Sequence, residues 1–496
     1  MRRLPLAVAL TSLLTTLAWV PAPVANAATA QWVLDENARP GTHAWKIPPS
    51  APDDIQGYAD KVSVNLQGPM TVYVDTTAAT FHVVAFRLGY YGGLGARRVW
   101  TSKEVPGTVQ PAPTTDPDTF MVEAPWSPSL SFHVGDRWVQ GSYLLKLVAS
   151  TGGQSYIPLV VRDDASTAAL VVQHQVFTWQ AYNEWGGRSL YHGPTGFDSR
   201  SRVVSFDRPY SDNGAGGMLK VLPMIALMER DGMDITYSTD QDLHLNPASL
   251  QQHHALVTLN HDEYWSSAMR DGLIAARAAG VNFISLGANA IYRHVRVEDS
   301  PLGSARRVVC YKIASEDPLR GVDDKEVTVN WRSTPVPRPE SVILGAMYDC
   351  HGVSHADMVV PDADAWVFAG SGLVDGASIP GAVDGEIDRV FLNAPTPASI
   401  QVLAHSPVRC RGAASVSDVT YYTASSGAGV IDIASLGWFE TLRCGPPVAG
   451  PYCSDASVTI TRNVLTEAAG GPLGLTHPAE PNAGSFGYAL SHPTHP

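Results

Sequence analysis

Past Asp163-Asp164 the chain settles into a strand–helix–strand rhythm, which narrows its fold more than any other feature. Ala169-Leu170-Val171-Val172 reads as a strand, Met218 to Asp231 as a helix despite Pro223, and Asp234 to Tyr237 as a second strand. Ala255 to Leu259 is a third strand, Ser267 to Ala279 a helix closed by Gly280, and Val281 to Leu286 a fourth strand. Continuous short apolar runs suit strands covered on both faces, and helices between them supply the crossovers that parallel strands require. The expected class is therefore α/β, a parallel sheet with helices on both faces, occupying residues 166–472. From about 305 to 405 the pattern becomes shorter, more β and richer in Pro and Gly, as in a β-rich insertion. The rhythm returns with a strand at Gly429 to Ala434 and a terminal helix from Ser457 to Ala469. Residues 473–496 are rich in Pro, Gly and His and are expected to be a disordered tail.

Residues 28–165 follow a different pattern. Val62 to Val64, Met70 to Thr76, Phe81 to Arg87 and Tyr143 to Val148 are short strand-like runs divided by Gly, Pro and Asp turns. They suggest an immunoglobulin-like β-sandwich. Within it, the loop from Arg87 through Tyr90-Tyr91-Gly92-Gly93 to Arg97 lacks the strand–GxGxxG–helix context of a dinucleotide site. It reads as a tight turn whose aromatics pack at a domain junction.

Residues 1–27 look like a secretory signal, with Arg2-Arg3, an apolar run from Leu4 to Val20, and a cleavage pattern near Ala27 or Ala30. No later run is long enough to span a bilayer, so the mature chain is expected to be secreted. Five cysteines suit an oxidising compartment. Cys444 and Cys453 flank a turn-rich segment and form the favoured bridge; Cys310 with Cys350 is the expected second pair, leaving Cys410 single. A net charge of −13 with no Lys/Arg cluster argues against a nucleic-acid partner.

If the predicted strands are neighbours, three strand ends converge at the sheet edge where α/β proteins place ligands. They carry Trp179 to Gly187, the turn His261-Asp262-Glu263-Tyr264-Trp265, and Gly287-Ala288-Asn289-Ala290. The polar turn also has a plain reading, as a helix start with an aromatic pair packed beneath it. Together the three segments would gather a phenol, a carboxylate, an imidazole and a carboxamide. Oxygen donors of this kind suit Fe(III), Mg²⁺ or Ca²⁺, and a phenol ionises only beside a strong Lewis acid, which favours ferric iron. No GxSxG or GxCxG elbow is present. Asp240 and Asp242 read as a capped turn rather than a calcium loop. Glu263 with Glu386 could serve as a glycosidase pair, although nothing in the sequence fixes their separation.

Four segments carry a family resemblance: Leu88 to Gly93, Ala181 to Gly187, His261 to Trp265, and Leu286 to Tyr292. In order, they resemble the large (beta) subunit of N,N-dimethylformamidase across roughly residues 55 to 470. The resemblance implies an α/β domain like class I glutamine amidotransferases (flavodoxin-like, three-layer) without the nucleophilic Cys. It implies a mononuclear ferric iron, Fe(3+), held by two tyrosines and a glutamate, here Tyr143, Tyr182 and Glu263. His261 and Asn289 match polar residues beside the iron, and Glu386 matches a further acidic residue. The implied activity is hydrolysis of a C–N amide bond in a small-molecule substrate, and the family leaves room for a homo-oligomer or a small partner subunit. The export signal and the shorter chain set dimethylformamide itself apart from the expected substrate. The rival reading is a secreted carbohydrate or cell-wall binding protein, with Trp179, Trp185 and Trp265 stacking on sugar rings.

Overall fold

The computed structural model describes residues 29–391 and 394–486; the expected signal segment at 1–27 lies outside the described residues. The second half is organised by a seven-stranded sheet. We label its strands β1 (Leu170–His174), β2 (Ile235–Thr239), β3 (Ala255–Asn260), β4 (Asn282–Gly287), β5 (Gln401–Cys410), β6 (Ala413–Thr423) and β7 (Gly429–Asp432). Across the sheet they run β2-β1-β3-β4-β7-β6-β5. The first five are mutually parallel, whereas β6 and β5 add antiparallel edge strands drawn from the region read as an insertion and its return. β1, β3 and β4 are buried along nearly their whole length, as unbroken apolar runs should be.

The helices that matter for the site are α1 (Val176–Ala181), α2 (Met218–Arg230), α3 (Ser267–Ala278) and α4 (Asp455–Ala469). α2 keeps Pro223 within its length. Ser266 caps α3 by accepting the Met269 amide, and Ser454 caps α4 by accepting that of Ser457. Leu473 and Ala483 are buried and two short 3-10 turns span Leu473–Leu475 and Ala483–Ser485, so the expected loose tail is packed as far as residue 486. Asn282 holds it there, its side chain donating to the Gly471 carbonyl and accepting from the Leu473 amide.

The first half is built from mainly antiparallel sheets, with Ser63–Asn65 adding parallel to Gln154–Arg162. Ile55–Ala59, Pro69–Thr76 and Leu130–His133 form one, and a six-stranded sheet includes Thr80–Leu88, Gly141–Ala149 and Gln154–Arg162. An apolar core lies between them, with Val72, Val83, Leu145, Leu147 and Leu159 wholly buried. The glycine–aromatic loop turns at this half's seam with the α/β half, as its composition suggested. Tyr91 is buried there, and Cβ atoms at Gly93 and Gly95 would come within 2.8 Å of Pro446 and Pro447.

The disulfides are Cys444–Cys453, as expected, and Cys350–Cys410; Cys310 is a buried free thiol. The expected Cys310–Cys350 pair fails because Cys350 opens a long hairpin strand, Met347–Val359, that lies against the β5 end carrying Cys410. Cys310 instead faces the His294 carbonyl on the neighbouring hairpin. Among the described residues, no helix is long and apolar enough to cross a membrane.

Candidate active site

β1, β3 and β4 are adjacent, so the three predicted strand ends do converge. β3 ends at Asn260 and β4 at Gly287, and the two approach so closely that a Cβ on Gly287 would lie 1.6 Å from the Asn260 carbonyl oxygen. Glycine is therefore required where the chain turns out towards the site. Asn260 and Asn289 both take left-handed backbone conformations, which asparagine tolerates best among side-chain-bearing residues. Glu263 is fixed by its backbone: its amide donates to Thr178 Oγ1 of α1, and its carbonyl accepts from the Tyr292 and Arg293 amides.

The carboxylate of Glu263 is the hub. Tyr182 donates to its Oε2 at 2.8 Å, and Tyr191 reaches both oxygens at 2.9 and 3.0 Å. The two phenol oxygens lie 3.0 Å apart. Tyr264 donates to Tyr191 at 2.8 Å, and Lys312 Nζ donates to Tyr264 at 2.6 Å, which gives a hydroxyl chain ending at Glu263. Arg293 Nε lies 3.3 Å from Glu263 Oε1. Burial, followed by the Glu263 charge, holds the Tyr182 and Tyr191 phenols far above their ordinary range. Both remain protonated unless a cation joins them. Burial and the nearby Arg293 pull Lys312 down to about 7.

Beside the hub, His261 Nε2 lies 3.1 Å from Glu386 Oε2 and 3.4 Å from Glu263 Oε2. Burial works against its charge, but Glu386 and Glu263 outweigh that, and the imidazole is raised to about 9. Burial pushes the Glu386 carboxyl up, yet His261 and the Asn289 hydrogen bond leave it below its ordinary value. Asn289 Nδ2 donates to Glu386 at 2.8 Å, and its backbone amide is held by Asp388 at 2.9 Å. One amide proton of Asn289 is thus committed to orienting Glu386, which weakens the expectation that this side chain serves as a free oxyanion donor.

Five of the six expected residues, Tyr182, His261, Glu263, Asn289 and Glu386, meet here. Tyr143 does not. It is buried in the core of the first half, stacked on Trp138, with its hydroxyl donating to the Val139 carbonyl at 2.7 Å. Tyr191 stands at Glu263 where a second phenol was expected. Its sequence setting, Leu190-Tyr191-His192, carries no recognisable signal, because it reaches the hub from a long connection after α1. Arg293 follows directly on the quoted Leu286 to Tyr292 segment and could have been read from it.

The cluster forms a wall shared by two cavities. One of about 280 Å³ touches Trp179, Tyr210 and His261; another of about 840 Å³ touches Glu263, Asn289, Tyr348 and Lys312; Tyr182 and Glu386 line both. Tyr182 is accordingly 42% exposed as a residue, while its hydroxyl is hydrogen-bonded within the cluster. Of the tryptophans proposed for sugar stacking, Trp265 is wholly buried and Trp185 packs edge-on against Trp126. Asp240 and Asp242 are structural: Asp242 completes a capping box with Thr239 and pairs with Arg162, and Asp240 accepts the Phe177 amide of α1.

Three hard oxygen donors separated by 2.8–3.0 Å have the spacing of adjacent ligands around one small cation with metal–oxygen distances of about 2.0–2.1 Å. Tyr182, Tyr191 and Glu263 therefore fit a single hard metal ion. The Cys444, Cys453 and Asp455 grouping does not, since both sulfurs are bonded to each other.

The family model for N,N-dimethylformamidase beta subunit-like, C-terminal matches residues 82–453. No curated protein sequence is matched. Among solved structures, a Faecalibacterium prausnitzii beta-glucuronidase aligns at 10% identity and a TM-score of 0.14, covering 48% of this chain and 28% of that one. A Paenibacillus sp. cycloisomaltooligosaccharide glucanotransferase aligns at 9% identity and a TM-score of 0.17, covering 84% and 81%. The chain spans under a third of the first of these.

Proposed function

This chain belongs to the N,N-dimethylformamidase beta subunit-like, C-terminal family, and we propose that it hydrolyses a C–N amide bond at the Tyr182–Glu263–His261 cluster. The observation carrying this reading is the meeting of three hard oxygen donors with an imidazole–carboxylate pair on a cavity wall. Tyr182, Tyr191 and Glu263 would hold a mononuclear ferric ion. When bound, such an ion supplies Lewis acidity to an amide carbonyl or to water. Glu386, ionised and facing both cavities, accepts a proton from the attacking water. His261, carrying Nε2–H, gives one to the departing amine. Water adds to the carbonyl carbon, the C–N bond breaks, and an acid and an amine leave. Asn289 holds Glu386 in place. Arg293 and Lys312 offset the negative charge that two ionised phenols and a carboxylate would bring together.

We also place the mature chain outside the cytoplasm, a reading supported by its two disulfides. The decisive experiment loads the purified chain with iron, measures metal per chain and the visible spectrum, and assays amine release from a panel of amides. The expected result is about one iron per chain, a phenolate-to-iron charge-transfer band and amine release. Iron-loaded protein with no such band, or no amine from any amide, overturns the reading.

A further inference from the structure

The larger cavity, about 840 Å³, lies within the range of about 300–1,000 Å³ that holds drug-sized ligands, and an amide bearing only methyl groups would leave most of it to water. A further cavity of about 260 Å³ adjoins it, sharing Tyr292, Tyr348 and Asn330 as wall. Its charges are unevenly matched. Glu263 pairs with Arg293, Glu386 with His261, and Asp349 with Arg389, so the acids of the wall are spoken for. Lys312 belongs to the Tyr264–Tyr191–Glu263 chain, whereas Arg411, among the described residues, pairs with no carboxylate and donates to the His351 ring. Arg411 thus brings a positive charge with no carboxylate partner to the edge of a cavity whose own acids are paired, where it can meet an anion.

Arg411 is also held in place. It occupies the turn between β5 and β6 with a left-handed backbone, one residue past Cys410, and His351 follows Cys350. The Cys350–Cys410 bridge therefore joins the two backbones that carry Arg411 and His351 to the cavity. Phe197 and Tyr348 add aromatic wall to the same space.

We infer that the amide cleaved at this site carries a bulky group ending in a carboxylate, seated in the larger cavity with its charge at Arg411, so that the substrate class is an N-acylated amino acid or a comparable anionic amide. This rests on the amide-hydrolase reading above. A guanidinium keeps its charge at any working pH and offers a planar pair of donors that matches a carboxylate.

Three probes separate size from charge: N-formyl-L-phenylalanine, N-(2-phenylethyl)formamide and N,N-dimethylformamide. Binding to the iron-loaded full chain is measured by calorimetry, and formate release is followed in parallel. N-formyl-L-phenylalanine should bind roughly tenfold more tightly than the neutral phenylethyl amide, the size expected of one charge-assisted contact, and dimethylformamide most weakly. Arg411→Glu should abolish the preference for the carboxylate, as should Arg411→Asn, which suits the left-handed backbone. Equal binding of the charged and neutral amides, or a preference that survives Arg411→Glu, overturns the inference. If the preference holds and no formate appears, anion recognition stands and the hydrolytic reading falls.

Discussion

Two buried clusters of this chain are made from the same parts and do different work. At the seam between the halves, Glu229 of α2 collects Arg87 at 2.8 and 2.6 Å, Asn37 at 2.8 Å and Tyr237 at 2.6 Å. Tyr91 and Arg97 meet Glu36 alongside, at 2.7 and 2.6 Å. At the candidate site, Glu263 collects Tyr182, Tyr191, Arg293 and His261. Both hubs are carboxylates ringed by phenols and cations, yet Arg87 and Glu229 are wholly buried, while the phenol ring of Tyr182 borders two cavities. A buried tyrosine–carboxylate–arginine network is therefore no sign of function by itself. Access, and a proton-carrying pair at its edge, mark the second cluster as chemical and the first as a fastening.

The largest effect should come from the fastening. Arg87→Met leaves Glu229 buried without its main counter-charge and should cost about 3–5 kcal/mol in urea unfolding. If the variant unfolds like the parent, the seam is not what joins the halves. Next comes the metal. Tyr191→Phe and Glu263→Gln should weaken iron retention by at least the roughly tenfold that loss of a partner behind a metal ligand costs, whereas Tyr143→Phe should retain the parent's iron content. Iron lost from Tyr143→Phe and kept by Tyr191→Phe in elemental analysis would restore the sequence-based assignment and break the comparison.

Acid should loosen the seam through His174. His174 bridges to Ser142 across the two halves at 2.7 Å, and burial lowers it to about 3. Its folded value lies below the ordinary 6.5, so the unfolded chain takes up the proton first. Stability is then full above pH 6.5 and falls as pH drops towards 3, by up to about 1.4 kcal/mol per pH unit from this group. Urea midpoints between pH 7 and 5 should show a shallower slope in His174→Gln, and an unchanged slope would remove His174 from the account. The smallest effect belongs to Cys310→Ala, at about 1 kcal/mol with iron content unchanged. Peptide mapping without reductant should find that thiol free and recover the 350–410 and 444–453 links.

Much of the architecture was legible because it rests on local regularities. Uninterrupted apolar runs at β1, β3 and β4 announced buried parallel strands, and strand ends in such sheets gather polar residues wherever neighbours coincide. Tyr182, His261, Glu263 and Asn289 were readable for that reason, each standing within a few residues of a strand end or short helix. Cys444 and Cys453 were readable because a separation of nine positions across turn-forming chain leaves few other partners. The sequence by itself thus determined the α/β rhythm, the polar strand ends and the short-range bridge, all set by interactions among near neighbours in the chain. Only the tertiary structure decided that Tyr191 rather than Tyr143 faces Glu263, that Cys350 meets Cys410, and that Lys312 and Arg411 face one cavity. Those pairings join segments whose side-chain positions depend on how whole hairpins pack, and no local pattern of residues encodes that distance.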